Sequence, residues 1–218
     1  MPMALQQIVN DYIKPGGIRS WRRNYVNCLK FKTGAPFITA HLPRDIITIC
    51  TYGLHFDKKR NVFVPMAQHQ CHIAASLPLI VSELHRRKVL SMTFASFEDL
   101  FDFVTNLAST VRTSNPSLRF GPIANYDIAC RLAKVIPAPD PADFVYFQGG
   151  ALTGIKNLYA NAGVILPPKA RPGINNYTIK YSDLMVIPQF KPLSKLTADE
   201  IEDLCCIHSS LLSTIKLP

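Results

Sequence analysis

Phe97, Leu100, Phe101, Val104, Leu107 and Val111 recur at intervals of three and four, and this period constrains the fold of the chain more than any other feature. A helix advances about 100° per residue, so that spacing gathers these side chains on one stripe, whereas a strand would scatter them over both faces. Ser96 stands where a helix cap is wanted, and Asp99 puts a carboxylate in the positive first turn. The spacing therefore predicts a helix opening near Phe97 and interrupted at Asn115-Pro116-Ser117.

The same period recurs elsewhere. Leu5, Ile8, Val9 and Tyr12 make one face of a short amphipathic helix that Pro15-Gly16-Gly17 breaks. A long apolar face over Met66–Arg87 predicts a helix bent near Pro78. Further helices are predicted from about Ala124 to Val135, and from Gly149 or Gly150 to Asn161 with Gly163 as a stop. Thr197 and Glu200 make a capping box for a last helix through Leu212. Before Met66, Ile46–Tyr52 reads as a strand and Phe56–Asn61 as a polar turn leading into Val62-Phe63-Val64, together a small hairpin. The expected fold is mainly α: a helical bundle with a small irregular or β element near the N-terminus. A basic extension over residues 1–65 would pack on a helical domain over 66–218 as one compact unit.

Composition excludes several classes. With 48% hydrophobic and 18% charged residues the chain can bury a real core, so disorder is not its dominant state. The longest apolar stretch, Ile73–Val81, is interrupted by Ser76 and Pro78 and is too short to span a bilayer. Met1–Lys14 lacks the basic and apolar regions of a secretory signal. A soluble, cytoplasmic or nucleoid-associated monomer with no membrane partner is the expectation. Cys28, Cys50, Cys71, Cys130, Cys205 and Cys206 form no CxxC pair and read as free, mostly buried thiols. His69 and His72 could face one ion at i and i+3, but no second ligand pair follows, so no metal and no cofactor is expected. There is neither a Walker loop nor a GxGxxG sequence.

The charge balance points to a partner. Lys and Arg number 24 against 15 Asp and Glu, for a net charge of +9, and such a field favours phosphate polymers. The cations cluster. Arg19, Arg22 and Arg23 interleave with Trp21, which suits phosphate contacts beside a stacking ring; Lys58-Lys59-Arg60 and His85-Arg86-Arg87-Lys88 form two more groups. Between the predicted helices Phe120-Gly121-Pro122-Ile123-Ala124 makes a tight turn that aims unpaired helix-terminal amides outward, at Gly121 and Ile123 among others. Arg112 and Arg119 before it, Arg131 and Lys134 beyond it, and Lys156 on the next helix would add to that field.

Phe120–Ala129 resembles the hairpin of helix-hairpin-helix DNA glycosylases, which reads Leu-Pro-Gly-Val-Gly, two variable positions, then Thr-Ala. Val145-Tyr146-Phe147-Gln148, read as opening a helix, is similar in placement to that family's Val-Asp-Thr-His segment. The likeness covers about Phe94 to Gly163. Here Ala124 replaces the second hairpin glycine, Tyr126 stands where enzymes with lyase activity carry lysine, and Val145–Gln148 has no aspartate. The resemblance implies a helix-hairpin-helix element and a monofunctional enzyme. That enzyme would flip a damaged or modified base from duplex DNA and hydrolyse its glycosidic bond, as in phage defence against modified cytosines. Oxocarbenium character at the sugar calls for a carboxylate, and Asp127 is the candidate. Asn125, Tyr126, Phe147 and Gln148 would form the base pocket. Two alternatives stand beside it: a non-enzymatic DNA- or RNA-binding protein using the same surface, and a protein-interaction or toxin–antitoxin partner that meets an acidic protein.

Overall fold

The computed structural model describes residues 4–17, 19, 54–57, 62–65, 79, 83–84, 86–116, 122–133, 136, 138–139 and 141–217. These residues are mostly helical, as the hydrophobic period requires. The chain divides into two compact units: Met1–Arg23 with Pro141–Pro218, and Asn24–Asp140.

In the second of these units, α2 (Phe97–Ser114) packs against α3 (Pro122–Leu132). Ser96 Oγ accepts the Asp99 amide at 3.1 Å, and Glu98 and Asp99 lie in the first turn, where the dipole favours them. The stripe read from the sequence is the buried one: Phe97, Leu100, Phe101, Val104, Leu107 and Val111 all face inward. From α3, Tyr126 meets Phe97 and Phe101, and Ile128 and Ala129 are buried too. Pro122 occupies the first helical position, where its missing N–H leaves no bond unmade. Of the predicted turn Phe120–Ala124, Pro122, Ile123 and Ala124 already belong to α3, so the helix starts two residues before the expected Ala124, and Phe120 and Gly121 lie outside the described residues. A β-hairpin pairs β1 (Leu54–Asp57) with β2 (Val62–Pro65) antiparallel, with Phe56 opposite Phe63. Its first strand begins after the predicted Ile46–Tyr52 segment, which lies outside the described residues. Most of the predicted Met66–Arg87 helix does too; Leu79, Glu83, Leu84 and Arg86 are helical.

The other unit contains a second two-stranded antiparallel sheet, its strands separated in sequence by a helix and a loop, that the sequence reading missed. Val145–Gln148 does not open a helix: Phe144–Phe147 is strand β3, paired antiparallel with β4 (Tyr177–Lys180), Val145 opposite Ile179 and Phe147 opposite Tyr177. Val145, Tyr146 and Phe147 are fully buried on consecutive positions, so both faces of the strand are covered and no alternation marks it in the sequence. Helix α4 (Gly149–Ala162) follows at once, with Gly149 at φ +50° allowing the turn and Gly163 at φ +65° closing the far end.

Helix α5 (Tyr181–Met185) and a 3-10 segment (Pro188–Lys195) lead to α6 (Ala198–Ile207), which packs on α4 and β3. The predicted capping box is present, with the Thr197 amide donating to Glu200 Oε2 at 3.0 Å. Helix α1 (Leu5–Ile13) lies on the 3-10 segment and buries the face expected of it, Leu5, Ile8, Val9 and Tyr12. Each such side chain contributes roughly 1.5–3 kcal/mol on burial. Contact between α4 and α6 depends on Gly154, whose Cα lies so near the Cys205 carbonyl that no side chain fits between them. Cys130 and Cys205 are buried free thiols and Cys206 is exposed; Cys28, Cys50 and Cys71 lie outside the described residues.

Candidate functional site

The distribution of charge in the unit formed by residues 1–23 and 141–218 follows from what α6 buries. Four carboxylates enter with its first two turns: Asp199, Glu200, Glu202 and Asp203 are all at most 9% exposed. Buried carboxylates need donors. Glu200 receives Arg19, Nε to Oε1 at 2.7 Å and Nη2 to Oε2 at 2.6 Å, while Arg19 also donates to the Lys195 carbonyl at 2.6 Å. Asp203 accepts the Tyr12 hydroxyl at 3.2 Å, and Asp199 accepts the Thr197 hydroxyl at 2.5 Å.

Removing those acids from the surface changes its sign. Over residues 141–217 the exposed acids are Asp143 and Asp183, against exposed Lys156, Lys180, Lys191, Lys195 and Lys216. Lys169 and Arg171 are engaged by the protein itself: Lys169 Nζ donates to the Ile174 carbonyl, while the Arg171 amide donates to Thr178 Oγ1 of β4 at 2.7 Å and its guanidinium to the Tyr146 hydroxyl of β3 at 2.8 Å. Lys156, read from the sequence, belongs to the exposed set. Arg19 does not; it is partly buried and donates to Glu200 and to the Lys195 carbonyl. Trp21, Arg22, Arg23, Lys58, Lys59, Arg60, Gly121 and Arg119 lie outside the described residues.

In the Asn24–Asp140 unit, Arg86 and Arg87 converge on Glu83. Arg86 donates to both carboxylate oxygens at 2.7 and 2.6 Å, and Arg87 Nε to Oε1 at 2.8 Å. The hydrogen bonds from Arg86 and then Arg87 hold the Glu83 carboxyl at about 2, so it stays ionised at any ordinary pH. Two cations thus share one anion, exposed Lys88 follows them in the chain, and Arg86 keeps 70% of its side chain exposed.

The residues assigned to a base pocket separate by unit. Asn125, Tyr126, Ile123 and Asp127 lie on α3 of one, Phe147 and Gln148 at the end of β3 in the other. Tyr126 packs edge-on against Phe97 at 5.9 Å and Phe101 at 6.3 Å, as a core ring does. Phe147 is fully buried. Gln148 caps α4 by position, with no bond from its side chain to the helix. Asn125 is buried, and its Oδ1 has no hydrogen-bond partner. Among the described residues no group of three His, Cys, Asp or Glu is placed to hold a metal ion, and no helix is long and apolar enough to cross a membrane.

What sequence reasoning missed is the acid burial on α6. A capping box was visible there, but not the hydroxyl of Tyr12 and the guanidinium of Arg19 arriving from a segment far upstream. Comparison with protein-family models, curated proteins and solved structures gives no match for this chain.

Proposed function

We propose that the protein binds nucleic acid through its phosphate backbone, using the lysine-rich surface of the unit that contains α4 and α6. The observation that carries this reading is the burial of the four α6 carboxylates, which leaves five exposed lysines against two exposed aspartates over residues 141–217. Unpaired surface lysines displace condensed counterions from a phosphate polymer, so binding should weaken steeply as salt rises. An acidic protein surface lacks that atmosphere of condensed counterions and would give a shallower dependence.

The test is binding of the full chain to random-sequence duplex DNA across a salt series starting near about 20 mM. A linear fall of log affinity with log salt is expected, with a slope that shrinks by roughly 2–3 when Lys156, Lys191 and Lys195 are all changed to Glu. No binding at the lowest salt, or a slope unchanged in the triple variant, would remove the reading.

Base excision is a second reading with one observation in its favour: Asn125, two positions from Asp127 on α3, is buried with an acceptor oxygen unpaired. A side-chain amide in that state suits a base edge. Binding is preferred because the rings of Tyr126 and Phe147 serve the cores of their units. Incubation with modified DNA followed by alkali separates the two. Strand breaks abolished by Asp127→Asn would favour excision; intact DNA bound at low salt favours binding alone.

A further inference from the structure

On the Asn24–Asp140 unit Arg87, in the Arg86–Arg87–Lys88 group, lies beside a pair of aromatic rings that are not fully buried. Helix α2 sends Phe97 and Phe101 inward, but Phe103 lies on another side of the helix and is only partly buried. Phe94 is partly buried too, and packs on Phe103 with ring centroids 5.4 Å apart at 57°. The Arg87 guanidinium carbon lies 6.0 Å from the Phe103 centroid. Glu83 fixes that guanidinium by accepting from Nε at 2.8 Å.

Lys88 adds a third observation. It is the only non-glycine among the described residues with positive φ, at φ 54° and ψ 41°. It ends the turn in which the Arg87 amide donates to the Glu83 carbonyl, and its own carbonyl accepts from the Ser91 amide and hydroxyl at 2.9 and 2.8 Å. That left-handed position at a helix end is ordinarily glycine's or asparagine's. A lysine there gains nothing conformationally; what it supplies is an exposed cation next to Arg86 and Arg87.

We infer that Phe94, Phe103, Arg86, Arg87 and Lys88 form a binding site for single-stranded nucleic acid, with an unpaired base stacking on the phenyl rings and its flanking phosphates meeting the cations. The inference rests on the reading that the chain binds nucleic acid, and adds to it a second site and a preferred strand state. A duplex keeps its base faces stacked on one another, so only an unpaired base offers a face to these rings. With Glu83 ionised the cluster still carries a surplus of two positive charges, enough to hold two phosphates.

The experiment compares binding of the full chain, at one moderate salt concentration, to an oligothymidylate of about 20 nucleotides and to a backbone of equal length and charge made of abasic units. The oligothymidylate is expected to bind about tenfold or more tightly, because stacking is worth that much per base. Phe94→Leu and Phe103→Leu, each checked for an unchanged cooperative thermal transition, should each bring the oligothymidylate toward the abasic affinity. Equal affinity of the wild-type chain for the two ligands would overturn the inference, and this arm decides even where a leucine variant does not fold. Folded leucine variants with undiminished preference for thymidylate would overturn it as well. If duplex DNA binds while the thymidylate preference is absent, only the stacking site falls; if no nucleic acid binds at low salt, the underlying reading falls with it.

Discussion

Arg19 and Glu200, separated by 181 positions in the chain, meet in a two-pronged ion pair, with Nε–Oε1 at 2.7 Å and Nη2–Oε2 at 2.6 Å. The pair is mostly shielded, at 18% and 11% side-chain exposure, and Glu200 Oε2 also accepts the amide that starts α6. Losing the arginine leaves a carboxylate short of donors in a site with little water. Arg19→Met is expected to lower unfolding free energy by about 2 kcal/mol, the usual scale for hydrogen bonds to a charged group. Adding Glu200→Gln should recover part of that, because the pair couples. The same substitution should leave the salt slope of nucleic-acid binding where it was. A slope that falls by about one would show that Arg19 reaches phosphate instead.

Gly154 tests the α4–α6 contact. A Cβ there would overlap the Cys205 carbonyl oxygen and lie 2.8 Å from its carbon, both backbone atoms that cannot rotate away. Gly154→Ala is expected to cost roughly 1–3 kcal/mol through overpacking, despite alanine's better helix propensity. Gly150→Ala, where the nearest atom is the Cys206 thiol at 3.4 Å, should cost much less. Urea unfolding of the two variants compares them; equal midpoints would mean the helices separate easily.

Tyr159 is buried edge-on against Phe190 at 5.1 Å, and its hydroxyl has no hydrogen-bond partner. Burial, with the Asp183 carboxylate and Tyr177 adding to it, pushes its phenol up to about 12. An unpaired buried hydroxyl costs more than it returns. Tyr159→Phe should therefore raise stability by about 1 kcal/mol, read as a higher melting temperature. A loss of similar size would mean the hydroxyl has a partner in solution.

His208 sets a pH dependence. Burial lowers its imidazole to about 4, against a smaller upward pull from Asp11. It caps the C-terminus of α6, where the dipole favours a cation by about 0.3–1 kcal/mol, so desolvation wins. The unfolded imidazole protonates near 6.5 and the folded one near 4, so between them the unfolded state holds more protons. Its contribution is complete above pH 6.5 and is lost as pH falls toward 4. From pH 7 to 5, above most carboxylate titration, wild type should lose roughly 2 kcal/mol more than His208→Gln. Parallel losses in the two proteins would place the effect elsewhere.

How much of this was legible in the sequence depends on the range of the forces involved. The buried face of α1, the stripe of α2 and the Thr197–Glu200 box are local patterns, and each lies where its spacing put it. Strand β3 was not legible, because a strand covered on both faces shows three apolar residues in a row and no period. Nor was the fate of the cations. Arg19, Arg86 and Arg87 read alike as free charges, yet all three are held by carboxylates, one far along the chain and one within a helical turn. The lysines left exposed became visible only once the α6 acids were placed inside.

One unit joins residues 1–23 to residues 141–218, with the other unit's residues between them. Translation makes α1 long before α6 exists. Its apolar face must wait, uncovered, while more than half the chain is synthesised, and the contacts that close this unit are among the longest in sequence the molecule makes. Slow closure and exposure to aggregation in the interval follow from that separation. The N-terminal helix thus depends for its burial on the last third of the chain.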